Sequence, residues 1–378
     1  MTNDQRLLEL DADLISEVLL QWRAKWPQMG VMALLPEAEK EHVALLQSVF
    51  RQHEVDLCGA IFPALVTDAG FVTQGVWLLC FEAMPQHFLL ADLPNQGSSA
   101  LVTAARRLRE ELPGQELPTL FLVFDAMVPN IASLLGEVRL QMDPPVRYSG
   151  ISAGSETFQP MPCLFDRNSL VGEGVLAFML PKQARTVLNH GYPVSKRLMH
   201  ATSSDGNRID RIDKRNAMEV YQEVVLAEYG VTLTPDNFYD HAVHFPFGVV
   251  TAIDVLVRIP VAVQADGSLL CVGEVPPNSL LRLLRAPTLE ASQCVTHIAS
   301  AVHKPPGAKP LDSLLTFYCA GRRMHFGSDS VQELSLLKTA SGAKKLCAAL
   351  SLGEIDTMDD LDMPRFHNAA LLCINADA

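Results

Sequence analysis

Short apolar runs alternate with amphipathic helical segments along this chain, and the alternation limits it to folds that layer helices on sheets. Apolar runs at residues 57–62, 75–81, 120–124 and 174–180 are shorter than a buried helix and are typical of buried strands. Apolar residues at helical spacing predict helices at residues 11–26, 37–52, 98–112, 130–140 and 216–229. The first part of the chain therefore predicts an α/β fold.

The rest of the chain has similar content. A β-rich run at residues 249–263 leads to a hairpin turn at Asp266-Gly267, and strands are expected at residues 314–319 and 369–374. Helices are expected at residues 287–301 and over most of 330–350. No internal sequence repeat is apparent. We predict two α/β halves with mixed β-sheets flanked by helices. The halves are expected at residues 31–229 and 230–378, and an N-terminal helix at residues 1–30 precedes them.

The charge balance argues against nucleic acid or an anionic membrane as a partner. The formal net charge is −13, and the basic pairs Arg106-Arg107 and Lys196-Arg197 are too short to form a binding face. Eight cysteines without C-x-x-C spacing are interpreted as buried thiols in a reducing compartment. No signal peptide and no apolar run of about 20 residues is present, so we expect a cytoplasmic protein with no membrane partner.

One segment matches the G-x-S-x-G pattern of hydrolases. Gly150, Ser152 and Gly154 have the spacing of a nucleophile elbow, which needs a strand before the serine and a helix after it. Prolines stand on both sides, so we interpret the segment as a glycine-rich turn. Such a turn could still line a ligand cleft, because glycine lets backbone N–H groups approach a ligand.

Three further positions are candidates for polar chemistry. His241 and His244 have the i, i+3 spacing of metal ligands, but apart from Asp240 no cysteine or carboxylate at metal-ligand spacing completes a set, so the identity of any metal stays unknown. Arg322 follows a predicted strand and is placed to clamp a carboxylate, or else to pair with an acid such as Glu354. Glu354 itself, expected at a helix end, could hold an ammonium group, cap the helix or pair with that arginine.

Two blocks of sequence resemble one protein family. The first contains Asn189-His190-Gly191-Tyr192-Pro193-Val194, then Asp205-Gly206-Asn207-Arg208-Ile209, then Asn216-Ala217-Met218-Glu219-Val220-Tyr221. The second contains Cys319-Ala320-Gly321-Arg322, Leu350-Ser351-Leu352-Gly353-Glu354-Ile355 and Phe366-His367-Asn368. Their order and spacing resemble the FIST sensory family, with its FIST N and FIST C halves, from about residue 30 to the end.

That resemblance implies a non-enzymatic cytoplasmic sensor. One branch of the family consists of stand-alone haem proteins that sense nitric oxide and regulate a histidine kinase or a cyclic-di-GMP enzyme. This chain contains no kinase, receiver or cyclase segment, so it resembles that branch. The resemblance implies a small-molecule ligand or haem. We predict His190 and His244 as the first candidates for the haem ligand, because both lie near the expected junction of the two halves, and Gly150, Ser152, Gly154, Arg322 and Glu354 as candidate ligand contacts. The alternatives are an amino-acid sensor without haem and a hydrolase using Ser152 or Cys319.

Overall fold

Helices and buried strands alternate through the computed structural model, which describes residues 2–112, 117–180, 186–234, 236–252, 254–302, 311–358 and 363–375. The helices are α1 (Ala12–Lys25), α2 (Val43–Gln52), α3 (Leu93–Glu110), α4 (Ile131–Gln141), α5 (Ala217–Tyr229), α6 (Phe238–Ala242), α7 (Cys294–Val302), α8 (Ala320–Phe326) and α9 (Asp329–Ser341), with a 3-10 helix at Glu37–His42. Helix α1 begins where the Asp11 carboxylate accepts two backbone N–H groups, and it buries Ile15, Leu19 and Trp22 at helical spacing.

The described residues also form 26 strands. These are β1 (Asp4–Leu8), β2 (Gly30–Pro36), β3 (Asp56–Phe62), β4 (Leu65–Thr67), β5 (Gly70–Val72), β6 (Val76–Phe81), β7 (His87–Leu90), β8 (Thr119–Asp125), β9 (Arg147–Ala153), β10 (Leu164–Asp166), β11 (Leu170–Val171), β12 (Val175–Leu180), β13 (Thr186–Asn189), β14 (Met199–Asp205), β15 (Arg208–Ile212), β16 (Arg215–Asn216), β17 (Phe247–Val250), β18 (Val255–Arg258), β19 (Pro260–Val263), β20 (Leu269–Cys271), β21 (Leu280–Leu283), β22 (Ser313–Cys319), β23 (Lys345–Ser351), β24 (Glu354–Met358), β25 (Met363–His367) and β26 (Leu371–Asn375).

Three of the four sheets have the same plan. Their strand orders are β1-β6-β2-β3-β10-β11, β7-β12-β8-β9-β24-β25 and β13-β26-β22-β23-β4-β5. In each sheet the third and fourth strands are the parallel pair of a β-α-β unit, and every other pairing is antiparallel. The chain therefore contains three structural repeats, although no repeat is apparent in its sequence.

Each repeat completes its sheet with a hairpin from another repeat. The hairpin β10–β11 of the second repeat pairs with β3 of the first, and β24–β25 of the third pairs with β9 of the second. The hairpin β4–β5 of the first repeat pairs with β23 of the third, which closes the circle. The three sheets are thus joined by exchange of hairpins in a ring.

The main core lies where the three sheets meet. Phe62, Phe121 and Phe317 come from one β-α-β unit each, and their rings lie 6.1–6.3 Å from a neighbouring ring in this group. All three side chains are buried. Tilted aromatic rings packed in this way stabilise the junction by dispersion and by burial of large apolar surfaces.

A fourth, antiparallel sheet is inserted in the third repeat, between β13 and α7. Its strand order is β18-β17-β21-β14-β15-β20-β19, and β16 pairs with β15. We call it the inserted sheet. Helix α5 packs on it and buries Val220, Tyr221, Val224 and Val225 along one side.

The predicted α/β class is confirmed, and several local predictions are wrong. The segment 1–30, predicted as an N-terminal helix, contains helix α1 but also strand β1, which pairs with β6. Residues 330–350 do not form one helix, because α9 ends at Gly342 in a left-handed conformation and a buried strand, β23, follows. Helix α7 begins at Cys294, so the predicted helix at 287–301 is too long at its start. The glycine-rich segment at 150–153 lies in strand β9 and is not a turn.

The predicted division near residue 230 does not separate the sheets. Strands from both sides of it share the second and third repeated sheets and the inserted sheet, as the pairing of β13 with β26 illustrates, whereas the first sheet lies wholly before it. Where independent folding units begin and end therefore stays a prediction. Over the described ranges, no helix has the length and apolar character needed to cross a membrane.

Candidate functional site

A cleft lies between the carboxyl ends of β8 and β9 and the inserted sheet. One part, which we call the slot, encloses about 40 Å³ and is lined mainly by apolar side chains, with Cys319, Gly321 and Asn368 among its smaller residues. The other part, the groove, encloses about 340 Å³ and includes Ser152. Phe158, Val261, Val272 and Leu352 line both parts, so the slot and the groove are continuous.

Two buried polar side chains in the cleft have no hydrogen-bond partner among the described residues. Asn368 is 1% exposed, and both the Oδ1 and the Nδ2 of its amide are unpaired. The hydroxyl of Ser152, also 1% exposed, is unpaired as well. Each buried and unpaired polar atom costs about 1–3 kcal/mol, so such atoms call for a partner.

Two acidic groups next to Asn368, the Glu354 carboxyl and the Cys319 thiol, are shifted by burial toward their neutral forms. Burial raises the pKa of Glu354 to about 8, against hydrogen bonds from Ser351, Cys319 and Ala370 that favour the charged form. The Glu354 carboxyl accepts from the Ser351 hydroxyl at 2.6 Å and from the Ala370 N–H at 3.3 Å. Burial also raises the pKa of the Cys319 thiol, whose sulfur accepts the Ala369 N–H at 3.0 Å. The slot therefore has a polar but neutral inner end. Glu354 lies at the start of strand β24 and not at a helix end.

Arg322 lies behind the slot and has all five N–H donors in use. Its Nε and Nη2 donate to the two carboxylate oxygens of Glu333 at 2.8 and 2.5 Å. Nη1 donates to the carbonyls of His190 and Ala369, and Nη2 also reaches the Ser292 hydroxyl at 3.3 Å. Its side chain is fully buried, as is that of Glu333. Its acidic partner is thus Glu333 rather than Glu354, and in this conformation no donor is left for a ligand carboxylate.

The G-x-S-x-G segment lies partly inside the sheet, at Gly150, and partly at the cleft, at Ser152. Gly150 lies inside β9, where a Cβ atom would stand 2.2 Å from the Leu122 carbonyl oxygen, so its role here is close strand packing. Gly154 has φ of 124°, which favours glycine, and donates its N–H to the Ile61 carbonyl at 2.8 Å. A strand precedes Ser152 as in a nucleophile elbow, but the next element is strand β10 and not a helix. The Ser152 hydroxyl also has no base hydrogen-bonded to it.

His190 is 7% exposed and lies outside the cleft. Its Nδ1 accepts the Tyr192 N–H at 3.0 Å, so in the neutral ring the proton resides on Nε2, which faces the Asp254 carboxylate at 3.7 Å. A protonated Nε2 has no lone pair for iron. In this conformation His190 does not fit a haem ligand.

His244 has the opposite tautomer. His325 donates from Nε2 to the Pro287 carbonyl at 2.9 Å, so its Nδ1 must accept, and the His244 Nδ1 at 2.7 Å must donate. Burial lowers the pKa of His325 to about 4 and also lowers the pKa of His244, so both rings are neutral at pH 7. The lone pair of His244 Nε2 therefore suits a metal. No histidine of the described chain lines the slot or the groove, so a haem held by His190 or His244 does not fit the cleft.

The structure thus brings part of the predicted site together. Ser152 lines the groove and Cys319 lines the slot, with Glu354 behind it, whereas Gly150, Gly154, Arg322 and both histidines line neither part. Asn368 was missed as a site residue. Its signal was a polar side chain directly after strand β25, inside the motif Phe366-His367-Asn368. Across the described ranges, no group of three or more metal-binding side chains occurs.

Comparison with known families adds an independent finding. Residues 31–215 match the family model of the FIST N domain, and residues 217–356 match that of the FIST C domain. No curated protein matches the chain at a significant level. The boundary between the two matches falls between β16 and α5, inside the inserted sheet and its helix.

Proposed function

The chain belongs to the FIST family, and from that premise we propose that it is a non-enzymatic cytoplasmic sensor whose small ligand binds in the cleft. FIST domains are sensory domains of signal transduction that bind small ligands. The proposed output is regulation of a separate signalling partner, such as a histidine kinase or a cyclic-di-GMP enzyme. Nitric oxide is a further candidate signal, and it depends on the haem hypothesis.

One observation carries the assignment to the cleft. Asn368 and Ser152 have buried and unpaired polar atoms, and both line the same continuous cavity. A ligand that pairs with these atoms removes a cost that the ligand-free protein bears, which favours binding. The cleft also lies beyond the carboxyl ends of the parallel strands β8 and β9, where open α/β sheets commonly bind ligands.

The contacts across the cleft suggest how a bound ligand would alter the surface. The Glu274 carboxylate, on the inserted sheet's side, accepts the Ser133 N–H at 2.9 Å and also the Ser133 hydroxyl. Ser133 lies in the first turn of α4, where a negative charge is stabilised by the helix dipole. A ligand between the two walls would change the spacing of this contact, and we propose that the partner senses that change.

Filling the cleft should abolish ligand binding. Val261 is half-buried on β19 and lines both the slot and the groove. In Val261→Trp, the indole would occupy the ligand volume. We expect at least one compound from a panel of amino acids, their amides and short carboxylic acids to raise the Tm of the wild type, and none to raise that of the variant. Differential scanning fluorimetry gives the Tm values.

Val263→Trp is the matched control, because Val263 is half-buried on the same strand but does not line the cleft. It should keep the ligand-induced shift. An equal shift in Val261→Trp, or no compound active on the wild type, would refute the cleft as the sensory site.

The enzymatic alternatives have less support in the geometry. A hydrolase needs a base within hydrogen-bond reach of its nucleophile. The Ser152 hydroxyl has no partner among the described residues, and burial keeps the Cys319 thiol protonated. A haem-free amino-acid sensor would use the same cleft. Only the chemistry of its ligand distinguishes this alternative from sensors of other small molecules.

Haem binding stays a prediction with its own test. Of the two candidate ligands, His244 has the favourable tautomer and His190 does not. If the protein carries haem after haem-supplemented expression, we expect His244→Ala to bleach or shift the Soret band and His190→Ala to leave it in place. A spectrum without a Soret band would exclude haem, and a band unchanged in both variants would exclude both ligands.

A further inference from the structure

We propose that the ligand is uncharged and presents an amide edge, as a primary carboxamide or a lactam does, to Asn368 at the inner end of the slot. This deepens the proposed function and rests on the cleft being the sensory site. It names a chemical class that differs from a free amino acid, which is a zwitterion.

The pairing capacity of Asn368 is the first support. Its side chain offers one acceptor, Oδ1, and one donor group, Nδ2, and both are unpaired in the buried slot. An amide whose C=O and N–H lie on one side satisfies both atoms at once, through two antiparallel hydrogen bonds. A carboxylate would accept from Nδ2 but place a second negative oxygen against Oδ1. An ammonium group would donate to Oδ1 but oppose Nδ2.

The charge of the slot is the second support. Glu156 is the only formally charged residue that lines it in the described chain, and its carboxylate is paired with Arg323 at 2.5 Å. Arg322, behind the slot, is saturated by Glu333 and by carbonyl oxygens. A charged ligand group would therefore lose its hydration without gaining a counter-charge. A neutral group avoids that loss.

The size and lining of the cleft are the third support. The slot is narrow, with about 40 Å³ of enclosed space, which suits one small planar group such as an amide. The walls beyond Asn368 are apolar at Ile259, Val261 and Leu352. They favour an apolar body that extends into the groove, where the Ser152 hydroxyl is the next unpaired group.

A series of probes with the same six-carbon skeleton tests the class directly. The probes are 4-methylpentanamide, 4-methylpentanoate and 4-methylpentylamine, titrated into the full chain by calorimetry at pH 7. We expect the amide to bind at least about tenfold more tightly than the acid or the amine, since each mismatched probe leaves a buried atom unpaired. Asn368→Asp and Asn368→Ala should each lose that preference, and the Tm of each variant shows whether it is folded.

The outcomes separate this inference from the proposed function. If the acid or the amine binds as tightly as the amide, and Val261→Trp abolishes that binding, the cleft stands and the amide class is wrong. If Asn368→Ala keeps the full preference for the amide, Asn368 is not the selective group and the inference is overturned. Binding of none of the three probes also overturns it, while the wider panel with Val261→Trp and Val263→Trp still decides the proposed function.

Discussion

Replacing Glu333 with glutamine should lower the free energy of unfolding by about 3–5 kcal/mol, the largest effect we expect from one substitution. Glu333 receives two hydrogen bonds from Arg322 and one from the Tyr318 hydroxyl at 2.7 Å, and neither member of the ion pair has any exposed side-chain surface. Glutamine keeps the shape but leaves the guanidinium as a buried charge without a counter-charge. Urea denaturation followed by circular dichroism measures the loss.

The matched control is Asp312→Asn. Asp312 forms an ion pair with Lys344 at 2.5 Å, but the two side chains are 71% and 69% exposed. The same acid-to-amide change should therefore cost no more than about 1 kcal/mol. Replacing both Arg322 and Glu333 with apolar residues should recover part of the loss, because no unpaired charge then remains. Equal effects of Glu333→Gln and Asp312→Asn would show that the buried pair contributes little.

The same pair predicts the behaviour of Arg322→Lys. Lysine keeps the charge but cannot form the two parallel hydrogen bonds to Glu333 or reach the carbonyls of His190 and Ala369 at the same time. The variant should melt several degrees lower than the wild type. If it also keeps the ligand-induced shift in Tm, Arg322 acts as a structural residue that joins α8 to α9 and to the segment at residue 190.

Glu354→Gln should remove a pH dependence of stability. In the folded protein burial raises the pKa of Glu354 to about 8, whereas the ordinary value is 4.5. Between these pH values the folded state binds more protons than the unfolded state, so the stability of the wild type falls as the pH rises. It is fully present below about pH 4.5 and is lost as the pH passes through 8. The size of the effect is on the order of 5 kcal/mol across the window.

Glutamine does not titrate, so the test compares the curves of unfolding free energy against pH for the variant and the wild type. We expect the difference in unfolding free energy between Glu354→Gln and wild type to grow in favour of the variant from pH 5 to pH 9. A constant offset between the two curves reflects only the changed hydrogen bonds to Ser351 and Ala370. Parallel curves over the whole range would mean that Glu354 ionises with its ordinary pKa, and the neutral inner end of the slot would be wrong.

The α/β class could be predicted because its signals are local. Strand β3 is a short apolar run, and helix α5 has a side-chain cap at Asn216 and an apolar side at helical spacing. Strand β23 was predicted as helix, because a fully buried strand such as Lys345–Ser351 lacks the alternation that marks a half-buried one. Only its parallel pairing with β22 decides the matter, and that contact is not local.

The repeat and the site depend on non-local contacts in the same way. The fourth residues of β3, β9 and β23 are Gly59, Gly150 and Ala348, and Ala348 adopts a φ of 149° that favours glycine. The correspondence of these three positions becomes apparent only when the strands are aligned by their places in the three sheets. Asn368 likewise differs from a surface asparagine only by its burial. Arg322 was placed correctly after a strand, but its partner Glu333 follows from how α9 packs.

The ring of exchanged hairpins bears on how the chain is made. The ribosome synthesises β4–β5 early. Strand β23, with which this hairpin pairs, is complete only when residue 351 has been synthesised. The second sheet likewise waits for β25, and the third for β26. Only the first sheet, which ends with β11, has all its strands before the inserted sheet is translated. Exposed strand edges pair readily with other chains. The nascent protein therefore presents unpaired strand edges until its last strands emerge, and we expect its need for a chaperone to be greatest during that interval.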